Sequence, residues 1–286
     1  MICDFLEKLR TVAPRDLPGV LGELDGAGFF LAPDESVSQL TERLSALADG
    51  LSLVPEDPLL TKLTADTPEV SDTLKDRAHE LTSQKFRFRM KWIPVWYSSR
   101  QTGIFSAGVL LEIDRILPLV FLNNGFACKG KYMGYDAAET LAHEMIHAAR
   151  IAFPASAYEE YFSCHVNRSA FRRTVGNLFR RWYLPLLFFG GVTMTVFLLV
   201  AGWRFWSALL LLPPVLIFSR EIILHRRIRA AGEKLRRAGL DEALLLRLSD
   251  SEIFALSRSK PEEIMLKKNE SLRWAMLLEK FRSEKG

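Results

Sequence analysis

The 286-residue chain predicts an α+β fold. Three observations predict it. Residues 1–84 carry apolar positions at helical spacing. Residues 85–124 switch to short alternating and β-branched runs. From Tyr135 onward the helical spacing returns, first around a pair of histidines, then in two uncharged stretches, then in a charged tail. These give a small, mostly antiparallel sheet of about three strands, two helices beside it, a helical hairpin and a helical C-terminal tail. The expected divisions are 1–84, 85–181, 182–224 and 225–286.

Charge is divided along the chain. Residues 1–166 hold 16 Lys/Arg against 23 Asp/Glu, a net of −7, and residues 167–286 hold 22 against 11, a net of +11. The overall +4 therefore joins an acidic front to a basic back. Cys3, Cys128 and Cys164 are scattered without a C-x-x-C pair, so they offer no disulfide framework and suit a reducing compartment. The opening "MICDFLEKLR" has two acids and no long apolar run, and does not read as a secretory signal.

In the first region, "SVSQLTERLSALADGLSLV" has helical periodicity, with Gly50 a candidate end. The Pro-punctuated "EDPLLTKLTADTPEVSDTLKDRAHELTSQ" predicts short helices. "KFRFRMKWIPVWY" alternates basic and apolar residues, and "AGVLLEI" and "LPLVFL" follow, separated by "DRI". These are the predicted strands. The basic–aromatic alternation fits a half-buried strand with a solvated face better than a nucleic-acid surface.

Asp136 with Glu139 three residues on is a capping-box pattern, and Pro154 ends the following apolar run, which predicts a helix from about Ala137 to Ala152. A second helix is predicted from Ser156, with Glu159 as its N3 partner.

Trp182–Trp203 is a run of 22 uncharged residues bounded by Arg181 and Arg204. It is long enough to cross a hydrocarbon core of about 30 Å. Phe205–Ser219 adds 15 uncharged residues, with Pro213-Pro214 expected to kink it, and reaches spanning length only through "REIIL". Trp182, Tyr183, Trp203 and Trp206 sit where interfacial aromatics sit. Arg168, Arg172, Arg173, Arg180 and Arg181 precede the pair. Arg220, Arg226, Arg227, Arg229 and Lys234 follow it, and only Arg204 lies between. That asymmetry predicts an integral membrane protein whose N- and C-terminal parts are cytoplasmic, with the lipid bilayer as a partner. The basic back half then needs no nucleic acid. In the tail, "SDSE" at Ser249 and "SKPE" at Ser259 predict capped amphipathic helices. They would pack on the core, on the membrane surface or on a partner.

The candidate chemistry lies in "TLAHEMIHAAR", Thr140 to Arg150. Residues four apart share a helix face, so His143 and His147 point together. Glu144 is offset by one position, where it reaches a metal-bound water without binding the metal. This is an H-E-x-x-H arrangement, with two zinc ligands and a general base. Burying these groups unpartnered in a run of Ala, Leu, Met and Ile would cost several kcal/mol, on the order of that for unpaired polar groups. A third ligand is available on the next helix. If Glu159 caps Ser156, Glu160 is free, and antiparallel packing brings it abreast of His147; Glu159 is the alternative. His165 is a poor fourth ligand, roughly 140° around the helix from Glu160. His79 and His225 belong to no constellation.

"HEMIH" followed by "EEYFS" resembles the zincin metallopeptidases, in the gluzincin arrangement with a glutamate as third ligand. The similarity runs from about Phe86 to about Arg173. Ser163 resembles the small residue that follows the ligand glutamate in such families. Only twelve residues separate His147 from Glu160, fewer than in membrane gluzincins of the prenyl-protease type, so the resemblance is to the superfamily. It implies a zincin-like catalytic domain and a sheet edge that pairs with an extended peptide or protein substrate, with "LPLVFLNN" as the candidate strand. The expected activity is peptide hydrolysis, with Zn2+ on His143, His147 and Glu160, and Glu144 as general base. Tyr158, Tyr161 or His165 are the candidates to stabilise the oxyanion. The alternative is a membrane-anchored, non-catalytic zincin-like scaffold, which would have no need of Glu144.

Overall fold

The computed structural model describes residues 1–64, 67–104, 106–154, 157–176 and 183–282. The fold is α+β and mostly helical, with two small sheets. The first region holds α1 (Ile2–Thr11), α2 (Leu17–Gly26), α3 (Val37–Leu53), α4 (Pro58–Thr64) and α5 (Asp72–Phe86). A reciprocal cap starts α3: the Gln39 N–H donates to Ser36 Oγ at 3.2 Å, and the Ser36 N–H to Gln39 Oε1 at 2.8 Å. The helix runs through Gly50 to Leu53 rather than ending there. Gly50 lies against Leu117.

The main sheet has the order β1 (Val95–Tyr97), β3 (Leu117–Leu122), β2 (Gly108–Ile113). It is mixed, and the longer of its two pairings is antiparallel. β1 runs parallel to β3, and β2 runs antiparallel to it. The strand pattern from Lys85 is realised only at its end. Phe86, Phe88 and Met90 are buried, while Arg87, Arg89 and Lys91 face solvent. Alternating burial is therefore real, but most of the segment is a connection. Arg87 closes α5 with φ 57°, and the Arg89 N–H donates to Gly26 O. Pro118 fits the central strand because β1 does not reach its level, so no ladder donor is lost.

A short α6 (Ser99–Thr102) precedes β2. After β3 come α7 (Gly125–Lys129) and the two-stranded β4 (Lys131–Tyr132) and β5 (Tyr135–Asp136). Then α8 (Ala137–Ala149) runs across the main sheet, buried on nearly every side and packed by α5, β2, β3 and α9 (Glu159–His165). Asp136 caps α8 as predicted, accepting from the N–H groups of Ala138 and Glu139. Glu139 does not complete the box; its carboxylate accepts from the Arg168 N–H instead. The helix ends at Ala149, three residues earlier than predicted. α10 (Ala170–Val175) follows α9.

α11 (Tyr183–Val200) and α12 (Arg204–Arg237) lie side by side. α12 is continuous across Pro213 and Pro214. Gly191 on α11 permits this approach, since a Cβ there would stand 2.9 Å from Pro214 Cγ. Among the described residues α12 is the one helix long and apolar enough to cross a membrane, and 22% of its apolar window is buried. The apolar stretch of α11 is shorter, Leu186–Val200. Arg180, Arg181 and Trp182 lie outside the described residues.

The C-terminal half of α12 behaves differently. Leu224, Ile228, Ala231 and Leu235 are buried against the tail, formed by a 3-10 segment Glu242–Arg247, α13 (Asp250–Arg258), α14 (Pro261–Leu266) and α15 (Leu272–Lys280). The Ser249–Glu252 capping box forms as predicted. The second is shifted: Lys260, not Ser259, precedes α14, and its N–H donates to Glu263. The tail packs on the N-terminal region. Arg247 grips Asp25 through Nε and Nη2 at 3.0 and 2.9 Å, and Lys280 Nζ reaches the same carboxylate at 2.6 Å. Arg273 donates to Leu31 O at 2.9 Å and pairs with Glu252 at 2.7 Å.

Candidate metal centre

His143 and His147 lie one turn apart on α8, and their Nε2 atoms approach to 3.1 Å. α9 brings up Glu160, whose carboxylate oxygens stand 3.6 Å from His143 Nε2 and 3.7 Å from His147 Nε2. Donors at Zn–N and Zn–O distances of about 2.0–2.1 Å in a tetrahedron are separated by roughly 3.3–3.4 Å. Here each histidine nitrogen faces a different oxygen of Glu160, and one ligand atom from each of the three residues lies within 4.8 Å of the others; the chemistry of the set, two imidazoles and a carboxylate, suits zinc. Of the two candidates for third ligand, Glu160 is the one in position.

The expected pairing of Glu159 with Ser156 lies outside the described residues. α9 begins at Glu159 itself, with Tyr158 as N-cap and no side-chain cap bond. Glu159 Oε1 accepts from His147 Nδ1 at 2.9 Å. That bond fixes the ring and its tautomer, leaving Nε2 to face the centre. The backbone of Ser163 lies beside His143 and favours its charged form. Ser163 is fully buried and its hydroxyl donates to Glu159 O. A small residue is required there because α9 packs directly on the histidine pair.

The electrostatics show a demand for positive charge. Burial, and then the neighbouring His147, push His143 down to about 3. Burial also opposes charge on His147, but the bond to Glu159 and the carboxylates of Glu160 and Glu144 raise it to about 9. Of the groups lining the opening, His147 is the one whose positive charge these carboxylates favour. A divalent ion would satisfy the same groups without leaving donor atoms face to face.

Glu144 is buried and points to the same opening. Burial pushes its carboxyl up to about 7, with His147 lowering and Glu160 raising it. The opening, about 370 Å³, is lined by Gly108, Val109, Leu110 and Glu112 of β2 together with His143, Glu144, His147 and Glu160. A Cβ at Gly108 would stand 2.9 Å from Thr140 Cγ2 and 3.1 Å from Glu144 Oε1. The strand can pass over the carboxylate only because residue 108 has no side chain.

Here the predicted substrate strand needs correction. "LPLVFL" is β3, central, paired on both sides and wholly buried. β2 is the edge, and it borders the centre. The Asn123 N–H donates to Ala107 O, which sets the phase of the ladder. Val109 and Leu111 then bond to β3, and the backbone groups of Leu110 and Glu112 face the open edge. A glycine opening an apolar run, as in "AGVLLEI", was the available signal. Glu112 also lines a second cavity of about 680 Å³, whose far wall is Ala32–Glu35, Gln39 and Arg43.

The three candidates for oxyanion stabilisation, Tyr158, Tyr161 and His165, do not line the opening. Tyr158 is buried beside α9. Tyr161 stacks on His165 at 4.2 Å and meets the His225 ring of α12 at 5.3 Å. His79 is buried in α5, away from the centre. No family model, curated protein or solved structure matches this chain.

Proposed function

We propose that this chain is a membrane-embedded zinc metallopeptidase of zincin-like build, with zinc on His143, His147 and Glu160. One observation carries the reading. Glu160 joins His143 and His147 in a group whose ligand atoms lie within 4.8 Å of one another, while Glu144, one residue from the first histidine, lines the same opening beside the outer edge of β2. A purely structural metal site needs neither the second carboxylate nor the edge. Zinc bound there would supply Lewis acidity and lower the pKa of water toward neutrality. Glu144 takes the proton from the attacking water and returns it to the leaving amine. Leu110 and Glu112 offer backbone donors and acceptors to an extended peptide, which joins β2 as an added strand.

α11 and the first half of α12 form the proposed transmembrane hairpin. Phe189, Phe197, Phe205, Leu216 and Phe218 are exposed, an arrangement that water would penalise and lipid would not. The basic flanks put both ends, and the centre, on the cytoplasmic side.

Metal analysis of detergent-purified protein tests the site. About one zinc per chain is expected, lost in His147→Ala and kept in Glu144→Gln, with peptide cleavage lost in both. Wild type without metal in chelator-free buffer would overturn the proposal. Metal without turnover on any peptide would favour a zincin-like scaffold instead.

A further inference from the structure

One surface of the chain is exposed, apolar and basic, and the proposed chemistry does not use it. Its centre is the turn between β4 and β5. Met133 and Gly134 form the two-residue tip, with φ of 48° and 78°. Such tips favour Asn, Asp and Gly, whose side chains tolerate a left-handed backbone. Methionine is a poor choice for the conformation, and here its side chain is 59% exposed. Beside it Tyr135 is 42% exposed.

Two neighbours extend the patch. Arg172 of α10 stacks on Tyr135, 4.0 Å from the ring centre, and donates to Gly134 O. The residue before it, Phe171, is 72% exposed. On the other side the Tyr132 hydroxyl donates to Ile104 O at 2.6 Å, and Ile104 is 70% exposed. Hydrogen bonds and stacking thus tie together three separate segments, each presenting a large apolar side chain to solvent. Lys129 and Lys131, exposed next to this turn in the chain, and Arg172, which also faces Glu139 at 4.0 Å, add basic charge. The nearby acids are engaged: Asp136 caps α8, and Glu139 is buried.

We propose that this surface docks on the bilayer, with the β4–β5 tip and Phe171 entering the headgroup region and the basic residues meeting anionic lipid. The inference rests on the membrane reading above and adds a second, peripheral contact to it. Continuity argues for lipid over a protein partner. From Val175 to Tyr183, the first residue of α11, the chain can span at most about 28 Å, so α10 lies within that reach of the proposed hairpin. Apolar tips flanked by Lys and Arg suit an anionic interface. Ile104 lies four residues before Gly108, so docking would bring one end of the open β2 edge to the membrane surface.

Single cysteines test this in the full chain. Cys3→Ser and Cys128→Ser remove the exposed thiols. Met133→Cys, Phe171→Cys and Ile104→Cys carry an NBD fluorophore, with Phe197→Cys as the lipid reference and Leu53→Cys as the aqueous one. The protein is placed in nanodiscs of equimolar phosphatidylcholine and phosphatidylglycerol. Docking predicts blue-shifted emission at 133, 171 and 104, quenching by headgroup-proximal doxyl lipid, and protection from iodide. The quenching by doxyl lipid weakens in phosphatidylcholine alone. If these three sites behave like 53 while 197 is quenched by doxyl lipid, docking is overturned and the membrane reading stands. If 197 also behaves like 53, the membrane reading itself fails. Protection from both quenchers would assign the surface to a protein contact and overturn the lipid one.

Discussion

Glu159 and Glu160 are adjacent, equally acidic and assigned to different tasks, and single substitutions separate them. Glu160→Gln removes a ligand and should abolish stoichiometric zinc. Glu159→Gln leaves all three ligands but loosens His147, and should weaken zinc affinity by roughly 10–100-fold; a competitive chelator titration measures both. Equal losses would contradict the division of labour. Position 108 offers a test that touches no ligand. Gly108→Val pushes a side chain into Thr140 and the Glu144 carboxylate, so turnover should fall by at least tenfold, about 1.4 kcal/mol of barrier, while zinc content is kept. The meeting of His143, His147 and Glu160 was legible because HExxH and a following acid are local patterns on helices of known pitch. The role of Glu159 was not. Its S-x-x-E pattern is local, whereas the bond to His147 depends on α9 lying against α8.

Among the elements, β2 is the one whose two edges have different duties. Leu110→Pro deletes an N–H that faces the open edge and leaves the ladder to β3 intact. It should lower kcat/KM up to about tenfold, the worth of one hydrogen bond, relative to Leu110→Ala, with unchanged melting temperature and zinc. Val109→Pro deletes a ladder donor and should instead destabilise the protein by about 1–3 kcal/mol. If both prolines act alike, β2 is not the substrate edge. β2 and β3 were legible as runs, because "AGVLLEI" and "LPLVFL" are bounded by turn residues. Their order was not. Sheet position depends on β1 inserting parallel to β3, and a run such as LPLVFL reads the same at an edge or a centre until its partners are known. The segment from Lys85 misled for a related reason. Alternation reports which face is buried, and a loop pressed on the core alternates as a strand does.

At the scale of the molecule, the two ends of the chain meet at Asp25. Burial would raise its carboxyl, but Arg247 and Lys280 outweigh burial and hold it below the usual range. A depressed carboxylate contributes stability at neutral pH that fades as pH falls below about 4. Asp25→Asn leaves a buried Arg247 without its counter-charge and should cost about 3–5 kcal/mol near neutrality, a gap to wild type that narrows in acid; denaturant unfolding at several pH values measures it. The same contact constrains topology. Asp25 belongs to α2, and Arg247 and Lys280 follow α12. One membrane crossing would put these partners on opposite sides of the bilayer. α12 alone therefore cannot be the only span: if it crosses, α11 crosses too, although its apolar stretch of 15 residues reaches only about 22 Å. Arg204 and Arg220 can extend their charges toward the headgroups to ease such a mismatch. The turn at Ala201 should then lie across the membrane from both ends. With Cys128→Ser in place, a membrane-impermeant maleimide on intact cells should label Ala201→Cys and spare Cys3, and inverted vesicles should reverse the pattern. Labelling of both residues from the same side would mean that neither helix crosses, and the apolar faces of α11 and α12 would need a protein partner instead of lipid.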